Sequence, residues 1–539
     1  MSTNDPVELS LERKRVTALP WLLSSGILLA YLLFPTKTYY WDGIHFALSI
    51  EGASGLSRTL VHPHHLLYNL FSAALYHSCL AVGLQIRAIQ VMQVTNCILS
   101  AICAGLFFRF LLRTFRSTYL SASLTILFAF SASWWKYSTD ADSYVPSMLL
   151  LLLCLNLSID GNKCRPYVLG IVHATSMFMH QLAVFFYPVV LVGLLFQSRR
   201  LSRKKRAILV LRYSATAFMF TLAVNYYCFH LQTGAFGINA FARWLTSYLH
   251  GPNPYAFSFD LWSNLLYTIR GNARLFFGGR LNWLKGLASP SIVALACILA
   301  TSILVLAVQL IRDLKRTVTL RCIEDASDSA FNKQWALCSL WVGVYLSFLF
   351  FWYPYFTPYR MFYLPAVLIL LGITLSRYES MRPPGRQWYT ALFAVTLALS
   401  NFLFFIYPLT HVEKNPPLVL ALEMNRRWAP GTSIYYCSSS ADNELFRYFN
   451  PATRWLKAES IEKALTEKDL QETYDQRSSA WLETSELEHL TSSTEGSAWL
   501  TLHVRDKCGF ELTSDSYNIK YVQIFPAIQD GEGRSSECN

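Results

Sequence analysis

A chain of 539 residues that is 53% hydrophobic and 15% charged falls well below the roughly 25% charge of soluble domains. The deficit is concentrated in uncharged stretches of roughly 18–25 residues, long enough to cross a hydrocarbon core about 30 Å thick, which excludes one large soluble core. The net charge of +12 is also uneven, with 13 basic and 20 acidic residues from position 412 onward and 33 basic and 14 acidic before it. The basic surplus is scattered among short loops between apolar segments, as positive-inside sorting requires, whereas a nucleic-acid partner calls for a clustered basic face and is excluded.

In chain order, a short N-terminal segment (1–17) ends near Glu12-Arg13-Lys14-Arg15 and leads into a first span at 18–35. This pattern reads as an uncleaved signal anchor with a cytosolic N-terminus. Hydropathy and the Lys/Arg bias agree when 66–84 is an amphipathic segment at the outer surface and not a span. The following spans are then 86–112, 117–134 and 144–159, a short pair at 166–180 and 182–197, and 208–229. Four more follow at 291–311, 335–353, 361–376 and 388–409. Every basic loop, including Arg203-Lys204-Lys205-Arg206, then falls on one side. The expectation is a polytopic α-helical membrane protein of about eleven spans over 18–410. It is followed by a small extracytoplasmic α/β domain at 411–539. In that tail, 416–428 and 459–473 have helical periodicity, Ala-Pro-Gly at 429–431 stops a helix, and Ser433-Ile434-Tyr435-Tyr436 and 499–504 read as strands.

Nine of the twelve cysteines are scattered through the membrane half without metal-ligand spacing, so they suggest no metal site. Cys437, Cys508 and Cys538 lie in the tail, where an oxidising compartment could pair two of them.

Three outer loops (36–85, 135–144 and 230–290) carry the polar groups. The first holds Asp42, His45, Glu51, Arg58 and the run His62-Pro63-His64-His65. The second is Lys136-Tyr137-Ser138-Thr139-Asp140-Ala141-Asp142-Ser143-Tyr144. The third carries Arg243, Arg270, Arg274, Arg280 and Lys285 among many aromatics. Carboxylates in two loops and cations in all three, opening onto one face, make a candidate site for a phosphate-bearing substrate.

The order of these parts resembles the GT-C superfamily of integral membrane glycosyltransferases, which use polyprenyl-phosphate sugars and include protein mannosyltransferases and aminoarabinose transferases. In that class a catalytic acidic residue follows the first span, a proline-containing juxtamembrane helix comes next, and a second outer loop carries another Asp. Asp42 occupies the first position. Val61-His62-Pro63-His64-His65-Leu66-Leu67-Tyr68 resembles the start of the juxtamembrane helix, with one proline where the family usually has two. Trp134-Trp135 through Asp140, Asp142 and Tyr144 resembles the second acidic loop. Met179-His180-Gln181 and Arg360 before Met361-Phe362-Tyr363-Leu364-Pro365 are similar to further short motifs of such proteins.

The resemblance implies a cell-envelope enzyme that transfers a hexosyl or pentosyl group from a polyprenyl-phosphate donor to an acceptor hydroxyl on the extracytoplasmic face, with inversion. Asp42 would be the general base, since a carboxylate taking the acceptor's proton lowers the barrier to attack on the anomeric carbon. Asp140 and Asp142 would orient the acceptor or hold a divalent metal, Mg or Mn, a cofactor the resemblance leaves open. His62, His64, His65, His180, Arg270, Arg274, Arg280 and Arg360 would bind substrate, the cations meeting the departing phosphate. The partners implied are the lipid-linked sugar, membrane lipid and an acceptor that is protein, lipid or polysaccharide. A bacterial inner membrane fits a chain with no retention signal at its end. Two other readings stand beside this one: a flippase or transporter for a lipid-linked saccharide, and a non-catalytic assembly subunit. Against the transporter, the spans carry almost no charge at their centres and no repeat is visible.

Overall fold

The computed structural model describes residues 6–55, 57–159, 165–247, 257–279, 290–321, 329–379, 388–436, 441–457, 480–483, 504–514 and 517–524. It has two compact units, one of Met1–Thr36 with Ser49–Pro408 and the other of Lys37–Leu48 with Leu409–Asn539.

The first unit is helical. In order come α1 (Pro6–Leu33), α2 (Trp41–Glu51, its first two turns belonging to the second unit), α3 (Tyr68–Ala81), α4 (Ala88–Phe115), α5 (Thr118–Ala129) and α6 (Ala132–Ser138). These are followed by α7 (Tyr144–Ile159), α8 (Pro166–Met179), α9 (Tyr187–Gln197), α10 (Arg203–Thr233), α11 (Ile238–Leu245) and α12 (Leu261–Phe276). Helices at Pro290–Arg321, Ser329–Phe351, Leu364–Glu379 and Trp388–Asn401 complete it. Six helical segments among the described residues are long and apolar enough to cross a membrane: Ala88–Phe115, Arg203–Thr233, Pro290–Gln309, Asn332–Phe351, Pro358–Ser376 and Trp388–Leu409. Five shorter apolar helices occupy Ala18–Leu33, Thr118–Ala129, Tyr144–Ser158, Pro166–Met179 and Gln181–Gln197.

Burial separates centre from periphery. The apolar stretch of α4 is 61% buried, against 11% for α10 and for Pro290–Gln309, so α4 is a core helix and the other two present apolar surface outward. Small residues allow close helix approach, as is usual where no hydrophobic effect drives helices together in lipid. A Cβ on Gly105 of α4 would lie 2.4 Å from Ser24 Oγ of α1, and one on Gly170 of α8 would lie 2.8 Å from Thr216 Cβ of α10.

Local chemistry sets the helix ends. Ser202 Oγ accepts from Lys205 N to start α10, and Gly234, at φ 67°, ends it in a left-handed cap. The span expected at 117–134 is interrupted: α5 stops at Ala129, and α6 begins after Phe130 and Ser131. The freed carbonyl of Phe130 accepts from Asn401 Nδ2 at 2.9 Å. The same amide donates to Phe276 O at 2.7 Å, and its Oδ1 accepts from Gly278 N at 2.9 Å. One buried asparagine thus satisfies backbone groups at the ends of both α5 and α12, as a water-poor setting demands.

In the second unit, five strands, β1 (Ser433–Tyr436), β2 (Arg454–Lys457), β3 (Ala480–Glu483), β4 (Val504–Ser514) and β5 (Tyr517–Ile524), form one sheet in the order β2-β1-β3-β5-β4. β1 is parallel to β2 and β3, while β5 is antiparallel to β3 and β4. Helices Pro416–Arg427 and Ala441–Phe449 pack on it through Leu420, Ala421, Met424 and Phe446, which meet Ile434, Trp481 and Tyr521. Lys37–Leu48 is tied into this unit by Lys37 N donating to Leu409 O at 2.7 Å and Asn415 Nδ2 donating to Lys37 O at 2.9 Å. The rings of Tyr39 and Phe449 add a contact at 5.8 Å. The helix expected at 459–473, most of the strand expected at 499–504, and Cys437 and Cys538 lie outside the described residues.

Candidate active site

The first unit gathers three distant segments at one place. In the loop before α3, His65 N donates to His62 O at 3.1 Å and Tyr68 N donates to His65 O at 3.2 Å, so the His-Pro-His-His run is folded into successive turns. Backbone bonds dock it on the α8 terminus: Leu67 N donates to Phe178 O at 3.1 Å and Gln181 N to His64 O at 3.3 Å. Side chains complete the joint. His64 Nδ1 is 2.7 Å from Gln181 Oε1 and its Nε2 is 3.0 Å from Ser247 Oγ, while the His65 and His180 rings meet at 4.9 Å. His62 stands 5.5 Å from both His64 and His65, centroid to centroid.

The turn between α6 and α7 forms the other side. Its backbone is held from α4, where Gln93, Asn96 and Ser100 make a buried polar stripe at helical spacing. Gln93 Nε2 donates to Thr139 O at 2.8 Å, Asn96 Nδ2 to Asp140 O at 2.8 Å and Asp142 O at 2.7 Å, and Ser100 Oγ to Ser138 Oγ at 2.7 Å. Both aspartates are fully buried. Asp140 Oδ1 accepts from Ala141 N at 2.9 Å, and its Oδ2 makes an ion pair with Lys136 one turn earlier. Asp142 Oδ1 accepts from Ser143 N at 2.6 Å, and Ser143 Oγ lies 3.0 Å from His65 Nδ1, joining the acidic turn to the histidine loop. Burying a carboxylate is costly unless it is paired and hydrogen-bonded; Lys136 pairs with Asp140, and a turn amide donates to each aspartate.

Burial holds the His64 imidazole down at about 4, although the Gln181 hydrogen bond opposes it. Burial, reinforced by His180, His62 and His64, keeps His65 well below the usual range. Both rings are therefore neutral at pH 7. Since Gln181 Oε1 can only accept, His64 carries its proton on Nδ1, and Nε2 accepts from the Ser247 hydroxyl.

The other sequence candidates lie as follows. Asp42 opens α2 and belongs to the second unit, where His45, three residues on, has its Nδ1 3.0 Å from Glu444 Oε1. Arg360 is wholly buried; its Nη2 donates to Pro354 O at 2.6 Å and its Nη1 to Tyr363 Oη at 3.2 Å. Tyr363 Oη in turn donates to Asn272 Oδ1 at 2.6 Å. Arg270 and Arg274 are exposed on α12. Arg280 and Lys285 lie outside the described residues. Glu51 receives Arg87 Nε at 2.9 Å and Ala88 N at 2.8 Å, which makes it a cap for α4.

Gln93, Asn96, Gln181 and Ser247 were not legible as site residues. Each is an uncharged polar side chain, and only the polar stripe on an otherwise apolar α4 gave a sequence signal for the first two. Among the described residues no three His, Cys, Asp or Glu side chains converge as metal ligands, and Lys136 already engages Asp140 Oδ2.

Taken together, the apolar helices and the buried polar cluster define a polytopic helical membrane protein. No protein-family model and no curated protein sequence matches the chain. Among solved structures it is similar to ArnT from Cupriavidus metallidurans bound to undecaprenyl phosphate. That match has 11% identity and a TM-score of 0.45 over 94% of this chain and 97% of that one. It is also similar to ArnT from the same organism in the apo state, at 12% identity and a TM-score of 0.45 over 95% and 98%.

Proposed function

We propose that this protein is a membrane glycosyltransferase of the GT-C type, moving a sugar from a polyprenyl-phosphate donor to an acceptor hydroxyl. The observation that carries this reading is the buried cluster of Lys136, Asp140, Asp142, His64, His65 and His180, built from three segments far apart in a largely apolar helical unit. Ionisable groups buried in a membrane protein are costly and are retained chiefly where function needs them. The order of acidic loop, histidine loop and second acidic loop supports the same reaction class.

In this mechanism Asp42 takes the acceptor's proton as the oxygen attacks the anomeric carbon. The bond from that carbon to the phosphate oxygen breaks, and polyprenyl phosphate leaves with the electron pair. Arg270, Arg274 and Arg280 are the cations proposed for that phosphate, and Asp142 and the histidines orient the substrates through hydrogen bonds. Arg360 acts with them by holding the 354–363 segment. No step is routed through a metal. The arrangement proposed in the membrane has eleven crossings, a cytosolic N-terminus and the 411–539 region on the extracytoplasmic side of a bacterial inner membrane.

The test is glycosyl transfer from a panel of polyprenyl-phosphate sugars by the purified full-length protein, with Asp42→Asn alongside. Turnover in the wild type that falls at least a hundredfold in Asp42→Asn, with donor binding kept, is expected. Equal turnover in both removes Asp42 from the mechanism. Donor movement across vesicles without transfer would favour a flippase instead.

A further inference from the structure

The first two turns of α2 fold with the C-terminal unit, and the ties that set them there include backbone and ring contacts. Lys37 and Asn415 fix the backbone before the helix, and Tyr39 rests on Phe449. With that register set, His45 faces helix Ala441–Phe449, and its Nδ1 meets Glu444 Oε1 at 3.0 Å. Asp42 lies three residues before His45, on the same face of the helix. A carboxylate from a distant part of the chain therefore grips an imidazole one turn from the proposed base.

We infer that Glu444 and His45 form a relay to Asp42 within the second unit, Glu444 orienting the ring and the ring favouring the ionised form of Asp42. Both are positioning residues, and the inference rests on the reading of Asp42 as general base. The electrostatics agree with the geometry. The Glu444 hydrogen bond raises the His45 imidazole above its ordinary value against the effect of burial, and the charges of Glu444 and Asp42 add to the rise. Among the described residues, charged groups that act on His45 include Glu444 from the facing helix and Asp42 from its own. Because such coupling is reciprocal, a cation that Asp42 stabilises also stabilises the Asp42 carboxylate. Losing that cation moves the protonation of Asp42, and with it the loss of base, to higher pH.

Two readouts on the full-length protein test this. The first needs no turnover: NMR titration of isotopically labelled histidine, with the His45 signal assigned by its absence in His45→Gln. In the wild type His45 should titrate above 6.5, and in Glu444→Gln it should fall back toward that value, while Glu444→Asp keeps most of the rise. The second is the pH profile of glycosyl transfer. His45→Gln should move the acid limb upward by about half a pH unit, with plateau kcat and donor KM within about twofold of wild type. A His45 titration unmoved by Glu444→Gln overturns the relay, as does an acid limb unmoved by His45→Gln. Failure of the underlying reading is distinguishable, because Asp42→Asn would then turn over like the wild type, whereas failure of the relay alone leaves Asp42→Asn inert.

Discussion

His64 has both ring nitrogens engaged, one donating to Gln181 and the other accepting from Ser247, so its contribution is that of a neutral, doubly bonded imidazole. That state has a consequence for acid stability. The folded ring is lowered from 6.5 to about 4, so between those values the unfolded chain takes up a proton that the folded chain refuses. The stabilisation is complete above about pH 6.5 and is lost as pH falls toward 4, to the extent of about 3 kcal/mol. Melting followed by tryptophan fluorescence should therefore show the wild type losing Tm more steeply than His64→Gln between pH 6.5 and 4.5. Parallel losses in the two proteins would mean that His64 is not held neutral. The same accounting separates Lys136 from the surface lysines. Its ammonium is buried beside Asp140, where removing one partner of such a pair costs more than the pair itself contributes.

At the scale of elements, the docking of α12 shows how a glycine and an arginine make one joint. The Arg360 side chain runs across Gly271, where a Cβ would come within 2.2 Å of Nε, and from there it reaches Pro354 and Tyr363. Gly271→Ala should displace the guanidinium and lower stability by about 1–3 kcal/mol, read as a fall in Tm. A variant that melts like the wild type would show that Arg360 is not seated there. This joint was only half legible. Arg360 stood out as a charge before an apolar run, but α12 was hidden in a long loop because its pattern is inverted. It buries Asn264, Thr268 and Gly271 with a single large apolar residue, Leu275, and exposes Leu261, Trp262, Leu265 and Ile269, so a search for an apolar inner face passes over it. The long apolar helices were legible because their signal is local and strong. The break after Ala129 was not, since it depends on Asn401, 271 residues away from the Phe130 carbonyl it satisfies. The meeting of the histidine loop with Asp142 runs through Ser143, Met179 and Gln181, residues whose types carry no signal of their own.

At the scale of the whole molecule, the partition of the chain is what sequence order conceals. Composition separates an apolar, basic region from an acidic tail, and by that criterion the residues after the first span belong with the membrane region. The structure instead groups Lys37–Leu48 with Leu409–Asn539, through bonds between residues some 370 positions apart that leave no periodic trace. Lys37–Leu48 therefore shares the fate of the sheet and its helices, because a cooperative unit opens together. Phe446 is completely buried in the core formed by Leu420, Met424, Ile434 and Trp481, and Phe446→Ala should weaken that core by about 3–5 kcal/mol. Hydrogen exchange on the full-length variant should then accelerate in Pro416–Arg427, in β1 and in Lys37–Leu48 together. The amides of α4 should keep their wild-type rates, since α4 belongs to the other unit and draws its protection from different neighbours. Were Lys37–Leu48 instead to stay as protected as α4 while the sheet loosens, the segment bearing Asp42 would belong energetically to the helices. The ties through Lys37, Asn415 and Glu444 would then be too weak to govern it.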